Sequence, residues 1–161
     1  MSQQLATKVA CIIYMRFLDL FDEKTATPQQ VVNLNPETLR AIGLSNAKVN
    51  YVQNVARFEL EKGMSFEVLD KMSNEEVIEY LTEIKGVGRW TVEMLLMFTL
   101  GREDVFAVDD LGIQQAIVRL YNIKITDPKI IKKKMLKISE TWSPFRTYAC
   151  MYLWRFKDSE K

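Results

Sequence analysis

LTEIKGVGRWTVEMLLMFTLGREDVFAVDDL, residues 81–111, is the stretch around which the rest of the chain is organised. The pattern predicts the end of one helix, a tight turn at residues 86–88 (GVG), and a second helix from about Arg89. Two glycines on either side of one residue at a helix start can point backbone N–H groups outward together, which suits an anion such as phosphate. The loop after the second helix carries two carboxylates, Asp109 and Asp110. The stretch therefore predicts an anion anchor followed by an acidic group about twenty residues later.

The composition favours an all-α globular chain. At 161 residues the length predicts one domain, or two small lobes that share a core. Hydrophobic residues make up 48% and charged residues 27%, which excludes a disordered chain. Only 6 Gly and 4 Pro interrupt a sequence rich in helix formers. No apolar run reaches the length of a bilayer span, and no signal peptide is visible.

Cysteine usage and charge further limit the kinds of site that the protein can contain. Cys11 and Cys150 lie on apolar, helix-patterned segments and are expected to be buried thiols in a reducing compartment. With no histidine and two cysteines, we expect neither a zinc site nor a four-cysteine iron–sulfur cluster. Residues 1–80 carry 8 Lys/Arg and 11 Asp/Glu, and residues 81–161 carry 14 and 10. The half with the glycine turn is the basic half, although its densest part, residues 132–134 (KKK), reads as a solvated helix face.

The chain as a whole predicts about ten helices joined by short turns. The first runs from about Gln3 to Phe21 on an apolar stripe of Leu5, Val9, Ile12, Ile13 and Phe17. Capping residues mark later starts at Thr27-Pro28, Asn35-Pro36, Ser45, Ser65, Ser73-x-x-Glu76, Asp127-Pro128 and Ser143-Pro144. The helix from Arg89 to about Leu100 is apolar on nearly all sides, so it should occupy the middle of the domain. Asp109 is placed to cap the helix that follows.

Helix–GVG–helix resembles the helix–hairpin–helix, a DNA-backbone clamp, although GVG alone would be read as an ordinary turn between helices. Three further blocks add to the resemblance: DVFAVDDLG at 104–112, WSPFRTYACMYLW at 142–154 and QQLATKVA at 3–10. Together the blocks resemble the helix–hairpin–helix (HhH-GPD) DNA glycosylase superfamily, and most closely its 3-methyladenine DNA glycosylase II branch (AlkA type). The resemblance covers essentially the whole chain. It implies an all-α, two-lobed fold over 1–161, with the hairpin at about 74–100.

The resemblance also implies how the hairpin grips DNA. The N–H groups of Gly86 and Gly88 and the Thr91 hydroxyl would bind phosphate oxygens without reading sequence. Backbone carbonyls of the hairpin hold a monovalent cation, Na⁺ or K⁺, in the family. By position these carbonyls belong to Thr82, Ile84 and Val87.

Asp110 matches the catalytic position of the family motif. Breaking an N-glycosidic bond develops positive charge on the sugar, and a nearby carboxylate can stabilise that charge and orient or deprotonate water. Asp109 is the competitor for this role. Bifunctional members carry a lysine two residues after the GVG, where this chain has Trp90, and Lys85 lies on the wrong side of the glycines. The resemblance thus implies a monofunctional enzyme in which water attacks.

Trp90 and Trp154 match positions that line the base pocket in the family. Indole faces can stack on a flipped base and attract a cationic alkylated purine, whereas the alternative is plain core packing. Met94 and Leu111 replace two other pocket aromatics of the best-known family member, which leaves the lesion range open. Leu5 matches the residue that wedges into the duplex, and it also fits the apolar stripe of its helix. Trp142 is expected to be structural, and Arg146 to be a buried ion-pair partner.

The expected function is hydrolytic release of alkylated purines, 3-methyladenine or 7-methylguanine, from damaged duplex DNA. The protein is expected to act as a monomer and not to bind a membrane. The alternatives are a non-catalytic DNA-backbone-binding module, or a glycosylase for hypoxanthine or ethenoadenine. Family members normally carry a substantial segment ahead of the QQL block, so one wall of the pocket is expected to be open here. The expected location is cytoplasmic, with the nucleoid in a bacterium, or nuclear in a eukaryote.

Overall fold

The computed structural model describes the backbone of residues 2–159 and the side chains of residues 8–159. Within that range the chain forms ten α-helices and one short 3₁₀ turn (Asp22–Lys24), with no β-strand, which confirms the all-α prediction. In chain order the helices are α1 (Ser2–Leu18), α2 (Pro28–Asn33), α3 (Pro36–Ala41), α4 (Asn46–Lys62), α5 (Phe66–Leu69), α6 (Asn74–Thr82), α7 (Arg89–Phe98), α8 (Leu111–Leu120), α9 (Pro128–Glu140) and α10 (Arg146–Asp158).

Most helix starts fall where the capping residues predict them. Thr27 and Gln30 form a complete capping box at α2, and Ser45 accepts a hydrogen bond from a first-turn N–H of α4. The side chain of Asp127 caps α9 in the same way. These side chains satisfy N–H groups of their own helix that lack partners in the first turn, so the sequence alone places them.

The predicted start of α10 at Ser143-Pro144 is wrong, because the helix begins at Arg146. The Ser143 hydroxyl donates instead to Asp104 Oδ2 at 2.9 Å. A capping residue satisfied by a distant partner therefore gives a false helix start.

The chain divides into two compact units. The first consists of Met1–Lys71 and Thr82–Val87, and the second of Met72–Leu81 and Gly88–Lys161. Each unit has its own buried apolar residues.

In the first unit, α4 packs against α2 and α3. The core of this unit contains Phe21, Val31, Leu39, Ile42, Val49 and Ala56. The predicted stripe of α1 is confirmed in part, since Ile13 and Phe17 pack against this core while Val9 and Ile12 are half exposed. The expectation that Cys11 is buried is wrong, because it lies on the exposed side of α1. The Leu5 side chain lies outside the described residues.

In the second unit, α8 packs against α9 and α10. The core of this unit includes Ile113 and Ile117 from α8 together with Met135 and Cys150, all of which are fully buried. Burial raises the pKa of the Cys150 thiol to about 12, so this cysteine is an inert core residue as predicted.

The expectation that α7 occupies the middle of the domain holds for only one of its faces. Val92, Leu96 and Met97 are buried, whereas the row Trp90, Met94 and Phe98 is half buried or exposed. These three residues are spaced i, i+4, i+8 and share one face. The helix therefore presents a continuous apolar face that the second unit leaves uncovered.

None of the helices described here is long and apolar enough to cross a membrane.

Candidate active site

Asp110 is the N-cap of α8, and its side chain is 7% exposed. Its Oδ1 atom accepts a hydrogen bond from Ile113 N at 2.8 Å. The expectation that Asp109 caps this helix is therefore wrong, because α8 begins one residue later than that role requires. Asp109 instead forms an exposed ion pair in which Lys132 Nζ donates to both its oxygens, at 2.6 and 2.8 Å.

Two tryptophans donate to the same carboxylate. Trp90 Nε1, on the first turn of α7, donates to Asp110 Oδ2 at 2.9 Å. Trp154 Nε1, on α10, donates to Oδ1, also at 2.9 Å. With the Ile113 amide, three N–H donors converge on this one group. The sequence identified all three of Asp110, Trp90 and Trp154, but it did not indicate that their polar atoms meet.

Gly112 lies directly against this cluster and was missed by sequence reasoning. A Cβ atom added to it would lie 3.0 Å from Asp110 Oδ1 and 3.2 Å from Trp154 Cδ1. The absence of a side chain therefore lets the indole reach the carboxylate over the first turn of α8. The available signal was a glycine inside a helix start, where it is about 1 kcal/mol less favourable than alanine.

The surface beside Asp110 is apolar. The Phe98 ring lies 6.0 Å from that of Trp154 in a tilted arrangement, and Met94 lies between Trp90 and Phe98 along α7. Leu111, the residue after Asp110, is 66% exposed. A carboxylate at the edge of such a surface can stabilise a cation, and the indole faces beside it can stack on flat, electron-poor rings.

Arg89 fixes the first turn of α7 next to Trp90. Its guanidinium donates to both oxygens of Glu75, at 2.7 and 3.0 Å, and its Nε donates to Glu93 Oε1 at 2.9 Å. Glu93 is 2% exposed, and its Oε2 atom has no hydrogen-bond partner in the described part of the chain. Burial raises the pKa of Glu93, while the hydrogen bond from Arg89 lowers the pKa of Glu75.

These groups line a cavity of about 550 Å³ on a different face of α7 from Trp90. Neither Asp110 nor either of its tryptophans lines it. The cavity is therefore separate from the carboxylate cluster.

The loop before Asp110 is tied to the start of α10. Arg146 Nε and Nη2 donate to the two oxygens of Asp104, at 2.6 and 2.8 Å, and this pairing holds the pKa of Asp104 down at about 2. Thr147 Oγ1 donates to Arg102 O and accepts from Val105 N. The ion-pair role predicted for Arg146 is confirmed, although its side chain is 33% exposed and not buried. These bonds fix the direction from which the loop delivers Asp110.

Trp142 packs edge-to-face on Phe106, with ring centroids 5.7 Å apart. No described residue accepts its indole N–H. This arrangement agrees with the structural role predicted for it and separates it from the other two tryptophans.

The glycine turn joins α6 to α7 where the sequence predicts it. Gly86 has φ +105°, and an added Cβ atom would lie 2.0 Å from the Tyr51 ring, so only glycine fits there. Asn54 Nδ2 donates to Lys85 O at 3.0 Å and holds the same turn from α4. Gly88 is the N-cap residue of α7 and has open space around it. Both glycines are exposed, and their N–H groups donate to no acceptor within the described residues.

The carbonyls of Thr82, Ile84 and Val87 lie in the same short segment of the first unit. Val87 N donates to Ile84 O at 2.9 Å, which leaves the second lone pair of that oxygen for another partner. Neutral carbonyl oxygens are suitable ligands for Na⁺ or K⁺, so the donor set fits a monovalent cation.

Sequence and structure comparisons give consistent matches. The family profile described as "HhH-GPD superfamily base excision DNA repair protein" matches residues 1–141. DNA-3-methyladenine glycosylase 1 of Schizosaccharomyces pombe is 41% identical over 157 residues, which cover 96% of this chain and 67% of that protein. DNA-3-methyladenine glycosylase 2 of Escherichia coli is 27% identical, over 96% of this chain and 51% of its own length.

Among solved structures, the S. pombe 3-methyladenine DNA glycosylase Mag1 in complex with abasic DNA has a TM-score of 0.83 and 40% identity. That match covers 96% of this chain and 74% of the Mag1 chain. In these three matches the chain spans between about half and three quarters of the length of the other protein.

Proposed function

Because the chain belongs to the HhH-GPD superfamily of base excision DNA repair proteins, we propose that it is a monofunctional DNA glycosylase. It hydrolyses the N-glycosidic bond of alkylated purines, 3-methyladenine or 7-methylguanine, in duplex DNA. The observation that carries the proposal is the Asp110 carboxylate, oriented by three N–H donors beside an apolar, indole-rich surface. Such an enzyme works where the chromosomal DNA lies, in the nucleoid of a bacterium or in the nucleus of a eukaryote.

In this mechanism Asp110 acts on the sugar. As the C1′–N bond breaks, its electron pair leaves with the base and positive charge develops on the sugar, where the carboxylate stabilises it. An alkylated purine is already cationic and therefore needs little help from a general acid. This agrees with a chain that contains no histidine.

The attacking water has one acceptor position available on the carboxylate. Oδ1 accepts from Ile113 and Trp154, whereas Oδ2 accepts from Trp90 alone among the described residues. A carboxylate oxygen has two lone pairs, so the second one on Oδ2 can orient a water and take its proton as it attacks C1′.

Trp90 supports the monofunctional assignment. A lyase step requires an amine that forms a Schiff base with the sugar, whereas an indole nitrogen is a donor with no available lone pair. Trp90 occupies the position of that amine and directs its N–H to Asp110. Water is therefore the nucleophile.

The DNA contacts follow from the glycine turn. The exposed N–H groups of Gly86 and Gly88, with the Thr91 hydroxyl, bind phosphate oxygens on the damaged strand. A monovalent cation held by the carbonyls of Thr82, Ile84 and Val87 would add positive charge next to that phosphate. The indole faces of Trp90 and Trp154, with Met94 and Leu111, contact the flipped base. Leu5 remains a prediction for the duplex wedge.

The test is release of free base from methylated duplex DNA. We expect the protein to release 3-methyladenine or 7-methylguanine, and Asp110→Asn to abolish the release. Asp109→Asn is the matched control, because it changes the neighbouring carboxylate in an exposed ion pair and should leave the rate close to that of the unaltered protein. If the protein binds DNA but releases no free base from any lesion, the proposal that it is an enzyme is refuted and a DNA-binding module is favoured. Strand cleavage without added alkali would refute the monofunctional mechanism.

A further inference from the structure

We propose that the indole N–H groups of Trp90 and Trp154 are positioning groups for Asp110, which fix the plane of its carboxylate. The inference deepens the proposed function and rests on it. Its consequence is that these two tryptophans recognise a base through their ring faces and leave hydrogen bonding to its edge to other groups.

The geometry separates this role from ordinary capping. The helix cap fixes Oδ1 alone, through Ile113 N at 2.8 Å, and leaves rotation about the Cβ–Cγ bond possible. Trp154 adds a second donor to Oδ1, and Trp90 holds Oδ2, each at 2.9 Å. Rotation of the carboxylate would break the bonds to both oxygens. Three donors thus define a single orientation.

The donors are themselves held in place. Arg89, the residue before Trp90, is tied to Glu75 and to buried Glu93. Trp154 lies on α10, which packs along α8, and its ring approaches Gly112 without hindrance. The first turn of α7 and the middle of α10 therefore aim two indoles at one carboxylate.

The role also limits what the indoles can do for a base. An indole has one N–H donor and no acceptor, so an N–H directed to Asp110 is not available to a base edge. Selection by these residues then depends on stacking and on attraction between a cationic ring and the indole faces. Trp142, whose N–H meets no described acceptor, is the natural internal control.

The first experiment measures the bonds without any substrate. The chain has three tryptophans, so a ¹⁵N-labelled sample gives three indole N–H resonances. In Asp110→Ala the resonances of Trp90 and Trp154 should move and exchange faster with solvent, while that of Trp142 stays in place. If Asp110→Ala does not fold, Asp110→Asn keeps an oxygen for the cap and should still shift the Trp90 resonance. Unchanged Trp90 and Trp154 resonances in the folded variant would refute the proposal.

The second experiment measures the chemistry. Trp90→Phe and Trp154→Phe keep an aromatic ring and remove the donor, and each should slow single-turnover base release about tenfold or more. The loss should be equal for 3-methyladenine and 7-methylguanine, because both are cationic and the carboxylate is common to both, and affinity for abasic DNA should stay within about twofold. Trp142→Phe should leave the rate within about twofold.

The possible outcomes have distinct meanings. A rate loss that differs between the two lesions, or a loss of DNA affinity in place of rate, would overturn the positioning role. It would indicate that these N–H groups bind the base edge. Absence of base release by the unaltered protein would refute the proposed function instead, and the resonance test would still decide whether the indoles hold Asp110.

Discussion

Gly112→Ala should separate the stability of the protein from the rate of base release. Gly112 lies in the first turn of α8, and its φ is outside the range that favours glycine. Its importance is spatial, since an added methyl group would lie 3.0 Å from Asp110 Oδ1, 3.2 Å from Trp154 Cδ1 and 3.4 Å from Lys157 Cδ. Ordinary contacts lie at about 3.5 to 4.0 Å, so the carboxylate and the indole must each move by a few tenths of an ångström.

Two effects oppose each other in the free energy of unfolding. Alanine gains about 1 kcal/mol over glycine in a helix, while overpacking a filled site costs about 1 to 3 kcal/mol. The net change should be a loss of about 0 to 2 kcal/mol. The rate should respond more sharply, because a displacement of about 1 Å can cost about 100-fold. A shift of several tenths of an ångström then predicts a rate about five to ten times slower.

The assay pairs thermal unfolding with single-turnover release of 7-methylguanine. Gln115→Ala is the control, since it adds alanine at an exposed site on the same helix and should change neither quantity appreciably. A Gly112→Ala rate within about twofold of the unaltered rate would refute the view that orientation of Asp110 limits the reaction. A slow but correctly folded variant would support it.

Two further changes test the hairpin and the buried acid. Gly86→Ala forces alanine to adopt φ +105° and places its methyl group 2.0 Å from the Tyr51 ring. Urea denaturation should therefore show that the free energy of unfolding falls by about 2 kcal/mol or more. The control is Gly88→Ala, whose added methyl group meets no atom within 4 Å, and its loss should be much smaller. Glu93→Gln should gain stability relative to the unaltered protein as pH rises from about 4 towards 7. Burial raises the pKa of Glu93 in the folded protein above its value in the unfolded chain. The stability that protonated Glu93 contributes is therefore fully present below the unfolded-state pKa, and it is lost as pH rises through the folded-state pKa. A pH-independent stability difference between these two proteins would contradict this assignment.

The local parts of the fold could be predicted from the sequence. Thr27, Ser45 and Asp127 cap helices that begin immediately after them, because each side chain bonds to its own first turn. The family predicted from the GVGRWTVE and DVFAVDDLG blocks is confirmed. The capping role that was predicted for Asp109 and is found at Asp110 shows the limit of such reasoning. Two adjacent aspartates offer the same cap, and a helix boundary cannot be fixed to one residue from sequence.

The arrangement of the site could not be predicted in the same way. The bonds from Trp90 and Trp154 to Asp110 join residues 20 and 44 positions apart on three helices. Their existence depends on how α7 and α10 approach α8, and hydrophobic periodicity does not encode that geometry. Gly112 is informative only after Trp154 has been placed over it.

The position of Asp110 decides which substitution can test its proposed chemistry. As the N-cap of α8 it contributes to stability, and replacing such a cap by alanine costs about 1 kcal/mol. Asparagine caps helices as well as aspartate does, so Asp110→Asn retains the cap and removes the charge. The positive end of the α8 dipole and the three N–H donors favour an anion at this site. Loss of base release in the asparagine variant, with unfolding nearly unchanged, would therefore report on the carboxylate, through its charge and its bond from Trp90, and not on the helix it caps.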